Sequence, residues 1–527
     1  MNHQRKIVMT RHMFKFSWVF LLLTILYSCQ VGSDGLNRNQ PKISFELSVT
    51  DPDSHGFMVD MSLPLWHKDQ ISLKLPDWMP GYYQIMDYSK DISALEVKDD
   101  DGNAFPVEMI NKNTWLVKGV KNKTLKVNYK VSTSRQFVAN NFIDQKHAYI
   151  VCCNTFLYVD GYTNLPVQLK INNYNKWNDI ATGLEPIQNR SDEFTAPNFD
   201  ILYDCPILMG NLEKLTSFFV NGIEHQFVGY ELGDFNKELF MYKLKRVVES
   251  AVDIIGEIPY SRYTFIAIGP GMGGIEHLNN TIITFNGNEL NSNSALNGVL
   301  SFLAHEYFHH YNVKRIRPVE LGPFNYDKPN RTNMLWVSEG LTVYYQHMIL
   351  RRAGITSAED LLEQVESQIN TLENDPGRLH QTLAQSSYYT WEDGPFGNPG
   401  GEDQSISVYN KGTVVAALLD LKIRTITQNK KTLDDVMQAL YYQYYKDKGR
   451  GFTDAEFQSV CEDVAGTSLK ELFEYVYSTK SIDYQKYYEA FGLAVGSYPG
   501  GSKTIKITKS KNPNASQLQL LNSWLDN

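Results

Sequence analysis

Ala304-His305-Glu306-Tyr307-Phe308-His309 is the stretch of this chain richest in chemistry. An α-helix turns once in about 3.6 residues, so the imidazoles of His305 and His309, four apart, share a face and can reach one metal ion. Glu306 projects beside that ion, where a carboxylate can take a proton from an activated water. This pattern uses three protein ligands and leaves a fourth position open. The third is expected from a second, facing helix, and Glu339 in Trp336-Val337-Ser338-Glu339-Gly340-Leu341-Thr342 is the candidate.

These residues need elements to hold them. Leu296, Leu300, Leu303 and Tyr307 recur at helical spacing and Pro318 is the next stop signal, which predicts a motif helix of about five turns. The Glu339 helix is expected to run on to Gly354. Before the motif, strands are predicted over 263–268 and 281–285. Between them lies Gly269-Pro270-Gly271-Met272-Gly273-Gly274-Ile275-Glu276-His277. Gly273 and Gly274 carry no side chain to block a peptide backbone pairing with an exposed strand edge, and Glu276 would sit at the end of that groove. No Lys-Ser/Thr follows, so this is not a phosphate loop.

Residues 42–210 read differently. Short alternating runs at 43–50, 70–75, 95–98, 114–117, 125–131 and 167–171, broken by Pro, Gly, Asn and Asp, predict an antiparallel β-sandwich without a catalytic constellation. Its aromatic loop, Leu75 through Tyr83, is expected to be a packing corner rather than a cleft wall. After the Glu339 helix, capping boxes are read at Thr356/Glu359, Thr453/Glu456 and Ser468/Glu471, and helices at 235–255, 414–426 and 432–445. The Gly- and Pro-rich segment 373–404 is expected to be a lid over the metal cleft.

The chain has 527 residues, 42% of them hydrophobic and 21% charged, with a net charge of -9, and no basic cluster lies outside its N-terminus. Those values fit a multidomain globular protein and exclude nucleic acid as the expected partner. Arg5, Lys6, Arg11 and Lys15 precede an apolar run over 16–27, too short for a stable span. The run ends in Leu26-Tyr27-Ser28-Cys29, which resembles a bacterial lipoprotein processing site. Cys29 is then the lipid-attachment residue, residues 30–40 a flexible tether, and the mature chain an exported lipoprotein of the cell envelope, periplasmic or on the outer membrane. Cys152, Cys153, Cys205 and Cys461 fit no metal spacing and are expected to be buried small hydrophobes.

Taken together, Trp78-Met79-Pro80-Gly81-Tyr82-Tyr83, Tyr203-Asp204-Cys205-Pro206, Gly273-Gly274-Ile275-Glu276-His277, the 305–318 stretch and the 336–342 stretch resemble the glycyl aminopeptidase family of gluzincin metallopeptidases. The resemblance implies a β-rich N-terminal domain, a thermolysin-like catalytic domain, one zinc ion, and usually a C-terminal PDZ domain. The interval from His309 to Glu339 is longer than in related aminopeptidases with a G-x-M-E-N motif but compatible with this family. Only 34 residues follow Leu493, too few for a PDZ module, which is expected to be missing.

The resulting expectation is an α+β multidomain chain: a signal peptide at 1–28, a tether at 29–40, an antiparallel β-sandwich-like domain at 41–212, a mostly helical thermolysin-like zinc domain at 213–493 and a short tail at 494–527. His305, His309 and Glu339 would hold the zinc and Glu306 would act as general base and acid. Tyr409, in a Tyr-x-Lys-Gly setting like that of related aminopeptidases, would donate to the oxyanion. Glu276 would bind the free α-ammonium of a peptide, with Gly273 and Gly274 along its backbone and His277 shaping the subsite. The activity expected is a zinc aminopeptidase, preferring small first residues such as Gly or Ala on the strength of the resemblance. Two rivals are a zinc endopeptidase and a binding lipoprotein that retains zinc without cleaving peptides.

Overall fold

The computed structural model describes residues 42–133, 136–188, 190–397, 404–497 and 504–526. The expected signal peptide, the tether and Cys29 lie outside these residues.

Every strand run anticipated in the first part of the chain is present, divided between two of the three sheets formed there. The largest has eight strands, with Ile43–Ser48, Gly56–Trp66, Lys123–Ser132 and Ile92–Asp99 side by side at its centre. Two four-stranded sheets, built around Ile207–Gly210 and Gln70–Lys74, complete this β region. Ile43–Ser48 alternates buried and half-buried residues along its length, as a strand with one face on a core must. One feature departs from the antiparallel expectation: Ile43–Ser48 pairs in parallel with Val167–Asn172. Parallel partners need a crossover instead of a tight turn, and more than a hundred residues intervene, a pairing that local alternation does not encode.

A six-stranded mixed sheet joins the β region to the helices. Ile223–Gly229, Arg262–Ala267 and Asn280–Ile283 run parallel, and Gly274–Glu276 pairs antiparallel at the edge. Successive side chains face opposite ways: Phe227, Phe265 and Ile283 enter the helical core, and Val228, Ile266 and Ile282 enter the β-region core. The second and third of these strands are the ones expected at 263–268 and 281–285; Ile223–Gly229 was not anticipated, because Glu224, His225 and Gln226 break its apolar pattern.

The helical part is layered on that sheet. The motif helix, Asn293–Phe308, starts at Ser292, whose hydroxyl accepts from the Ala295 amide at 3.2 Å. It ends at His309, about two turns earlier than Pro318 suggests. The next amides bond three residues back, His310 to Tyr307 and Tyr311 to Phe308, so the helix tightens and stops. The ligand helix, Leu335–Arg352, is buried on nearly every side from Leu335 to Tyr345, and Val408–Thr427 packs across it. The box opening Ala358–Asn374 uses Ser357 and Asp360, one residue later than expected. At Ser468 no box forms, because its hydroxyl donates to Glu462 and the helix Lys470–Tyr477 starts without a side-chain cap.

The described part of 373–404 is folded and anchored. It contains Leu383–Tyr388 and Thr390–Asp393, and the Ser386 hydroxyl donates to Ile406 O at 2.6 Å. Residues 398–403 lie outside the description. Beyond Gly492 the chain forms the hairpin Leu493–Ser497 with Ile505–Lys509 and the helix Ala515–Asp526, whose Trp524 is fully buried. Cys152, Cys153, Cys205 and Cys461 are all buried and unpaired with one another.

Candidate active site

The motif helix and the ligand helix cross so that His305, His309 and Glu339 point into one buried spot. The two Nε2 atoms lie 2.9 Å apart, and Glu339 Oε2 lies 3.7 Å from the first and 3.3 Å from the second. These three atoms could hold a metal ion. Their surroundings fit that use. Oε2 of Glu339 is buried without a hydrogen-bond partner, while the other nitrogen of each imidazole is committed: His305 Nδ1 to Gln346 Oε1 at 2.9 Å and His309 Nδ1 to Asn312 O at 2.7 Å. Each Nδ1 is thus occupied by its own partner, which leaves the Nε2 atoms of both imidazoles facing the gap. An N2O donor set of this kind suits zinc.

Asn312 does more than hold His309. It is fully buried, and its side-chain amide donates to Val337 O, Ser338 O and Thr342 Oγ1 at 2.8, 3.1 and 3.0 Å. The end of the motif helix is thus tied to the ligand helix within one turn of Glu339. Neither Asn312 nor Gln346 was found by sequence reasoning. Asn312 does fall within the 305–318 stretch, but its importance rests on contacts with another helix.

Glu306 is buried beside Gly274 of the edge strand. A Cβ at Gly274 would lie 2.7 Å from Phe302 Cζ and 3.0 Å from the Glu306 carboxyl carbon, so any side chain there would push Phe302 or Glu306 aside. Burial, then the Glu276 and Glu339 carboxylates, push Glu306 well above the usual carboxylate range, against the pull of His309. For Glu339 the order is reversed: burial opposes ionisation, but His309 and His305 outweigh it and hold the carboxyl below its ordinary value. A cation at Oε2 would act in the same direction on both acids.

Glu276 closes the edge strand. It is buried, with burial and the Glu339 carboxylate raising its pKa against His309 and Lys314. The aromatic loop of the β region covers it: a Cβ on Gly81, whose φ is +92°, would meet the two Glu276 carboxylate oxygens at 2.8 and 3.0 Å. This loop lines the site and is not only a packing corner. Trp78 anchors it by donating to Asn325 O at 2.9 Å, and Tyr83 reaches Glu339 with its hydroxyl. Trp78, Gly81, Tyr83, Glu276, Leu321 and Phe324 enclose a cavity of about 20 Å3 at this end.

His277 is placed differently from the expectation. It follows Glu276 on the opposite face of the strand, and its Nδ1 faces Asp204 Oδ1 at 3.2 Å. Asp204, in the Tyr203-Asp204-Cys205-Pro206 motif, also accepts from the Leu278 amide at 2.7 Å and pairs with Lys314 at 2.5 Å. His277 therefore supports the strand from behind. Burial resists ionisation of Asp204, but Lys314 and His277 outweigh it and bring its pKa down to about 2. Gly273, at φ +104°, turns the chain into the edge strand, and its carbonyl accepts from the Thr284 amide at 3.0 Å.

Tyr409 enters from Val408–Thr427. Its ring lies 6.1 Å from that of His305, and burial with the Glu339, Glu276 and Glu306 carboxylates keeps its hydroxyl protonated. Two glycines make this approach possible. A Cβ on Gly340 would fall 2.4 Å from Gly412 Cα, so the helices carrying Glu339 and Tyr409 touch backbone to backbone there. Phe396 stacks on the Tyr409 ring at 5.2 Å.

Two family models match the chain: the peptidase M61 N-terminal domain over residues 44–211 and the M61 glycyl aminopeptidase over 298–415, together more than half of it. A crystal structure of an aminopeptidase N family protein from Idiomarina loihiensis shares 27% identity and superimposes with a TM-score of 0.81, covering 86% of this chain and 79% of that one. The M1 zinc metallopeptidase of Deinococcus radiodurans shares the fold at 13% identity, with a TM-score of 0.53 over 84% of this chain and 95% of that one. A mutant of that enzyme bound to a Tyr-Ser-Ala substrate is similar at 12% identity and a TM-score of 0.50, covering 84% of this chain and 94% of that one. A comparison with curated protein sequences returns no match. With residues 44–211 and 298–415 matched by the two models and the histidine–glutamate cluster assembled at the crossing of its two helices, the chain belongs to the M61 glycyl aminopeptidase family, a family of metallo-aminopeptidases.

Proposed function

We propose that this chain is a zinc-dependent aminopeptidase that hydrolyses the first peptide bond of peptides beginning with a small residue. One observation carries the reading: a buried carboxylate, Glu276, ends an open strand edge beside the metal-ligand cluster, and the β-region loop closes the space behind it. Among the described residues nothing pairs with the outer edge of Gly274–Glu276, so a peptide can add there as a further strand and must stop at Glu276. The carboxylate suits the α-ammonium that only a free N-terminus offers.

His305, His309 and Glu339 would hold the zinc, which when bound polarises a carbonyl and makes water acidic enough to attack at neutral pH. Glu306 lies beneath the strand edge, where it accepts a proton from the attacking water and returns one to the leaving amine. Tyr409, kept protonated, donates a hydrogen bond to the carbonyl oxygen as it gains charge. Gly274 lets the substrate strand approach Glu306, and Glu276 fixes which bond arrives there. The cavity of about 20 Å3 has room for about one water, which supports a first side chain no larger than a methyl group. That a chain of this fold takes a peptide is supported by the Deinococcus enzyme mutant bound to a Tyr-Ser-Ala substrate. We also propose export with lipid attachment at Cys29, supported by the basic and apolar segments that precede it.

The test is hydrolysis of glycyl and alanyl amides by the zinc-loaded chain, beside the same peptides N-acetylated and beside Glu306→Gln. The reading requires activity that disappears on acetylation and falls by about 10²–10⁴ in the variant. Cleavage of acetylated peptides would replace it with an endopeptidase. No cleavage despite bound zinc would leave a peptide-binding protein.

A further inference from the structure

We infer that Tyr83, a residue of the β region, is a positioning residue of the metal site: its hydroxyl holds one oxygen of Glu339 so that the other alone faces the histidines. The inference rests on the metal reading above and adds to it a ligand-orienting group supplied by the other half of the chain.

The geometry is specific. Tyr83 donates to Glu339 Oε1 at 3.3 Å across 256 residues of sequence. Glu339 Oε2 has no hydrogen-bond partner and is the oxygen nearest both imidazole nitrogens. A carboxylate can rotate about its terminal torsion and can offer a cation one oxygen or two. A donor on Oε1 lowers the availability of that oxygen and fixes the plane of the group, which favours single-oxygen ligation and a four-coordinate site.

Tyr83 itself is held. It is 5% exposed, packs with Val313, Leu321, Leu335 and Val408, and meets Trp391 edge to face at 6.1 Å. The loop before it is fastened to the 325–326 segment, with the Asp77 amide donating to Tyr326 O at 2.8 Å and Trp78 to Asn325 O. A hydroxyl on so rigid a support is worth more as an orienting group than one on a free side chain. The consequence is that the helical part carries all three ligands, with Tyr409 beside the third, while the hydroxyl on its Oε1 comes from the β region.

The test is Tyr83→Phe in the full chain, which keeps the ring and its packing and deletes only the hydroxyl. Tyr82→Phe serves as the control, since that hydroxyl donates to Gln84 Oε1 in the same loop and does not touch Glu339. Zinc affinity is read by competition with a colorimetric chelator, and the visible spectrum is recorded on the cobalt-substituted proteins. For Tyr83→Phe we expect zinc binding weaker by about 10–100-fold and cobalt bands of lower intensity, as coordination number rises. Tyr82→Phe and the unfolding temperature of metal-free Tyr83→Phe should match the parent chain. Equal affinity and an unchanged cobalt spectrum in Tyr83→Phe would overturn the assignment. If the parent chain itself bound neither metal, the metal reading would fall and this inference with it.

Discussion

Asp204→Asn isolates the ion pair behind the Glu276 end of the edge strand. The aspartate is buried with its carboxylate against Lys314 Nζ and His277 Nδ1, and it accepts the Leu278 amide directly after the edge strand. Its pKa falls from 3.8 to about 2, and each unit is worth about 1.4 kcal/mol, so ionisation contributes about 2 kcal/mol to folding. Asparagine keeps an oxygen for Leu278 but leaves the Lys314 ammonium buried without a counter-charge, and losses of this type run to about 3–5 kcal/mol. We expect about 3 kcal/mol at pH 7. The compact unit 41–527 should unfold with an entropy of roughly 1 kcal/mol/K, so the unfolding temperature should drop by about 3 °C.

The pH dependence makes the reasoning refutable. A carboxyl whose folded pKa is depressed stabilises fully above its unfolded value and progressively less as pH falls through the folded one. The difference between the parent chain and Asp204→Asn should therefore be constant from pH 7 to about pH 5 and shrink between pH 4 and pH 2. Urea midpoints at pH 7, 5, 4 and 3 would show it. A difference that persisted unchanged at pH 3 would mean that shape, not charge, holds this junction.

Three further outcomes are expected. Gly340→Ala places a methyl 2.4 Å from Gly412 Cα, so the two helices must separate; overpacking of about 1–3 kcal/mol should appear in thermal unfolding, together with lower kcat as Tyr409 withdraws. Glu276→Gln removes a charge-assisted contact worth about 1.5–3 kcal/mol, and kcat/KM for free N-terminal substrates should fall roughly 10–150-fold without creating activity on acetylated ones. Chelation should abolish hydrolysis and lower the unfolding temperature by about 3 °C relative to chain holding zinc at a hundred times its Kd, since such binding adds about 2.7 kcal/mol; calorimetry with and without the chelator measures it.

Several elements were misread for the same physical reason. The motif helix stops at His309 because Asn312 spends its side chain on the ligand helix, and nothing in the local periodicity announces that. Ser468 looks like a cap, yet Glu462 takes its hydroxyl. The aromatic loop looks like a packing corner because Trp78 does pack, while Gly81 and Tyr83 face Glu276 and Glu339 only after the two halves of the chain meet. In the first and third cases a contact between distant segments overrode a local signal, and at Ser468 a side chain six residues away did so.

What the sequence determines by itself is whatever repeats with a local period. Two histidines four apart share a helix face in any fold, and Glu306 between them inherits a place beside whatever they bind. Alternation marks the strands of the first part of the chain, and the strands at 263–268 and 281–285 are read the same way, whereas Ile223–Gly229, with Glu224, His225 and Gln226 in it, is not. The tertiary structure decided the rest: that Glu339 meets the histidines through a single oxygen, that Gly340 and Gly412 let Tyr409 come near, that Asp204 braces Glu276 from behind, and that Tyr83 crosses from the β region to the third ligand. Those pairings span tens to hundreds of residues, and no spacing rule in a chain records which distant side chains its packed core will bring within a hydrogen bond of each other.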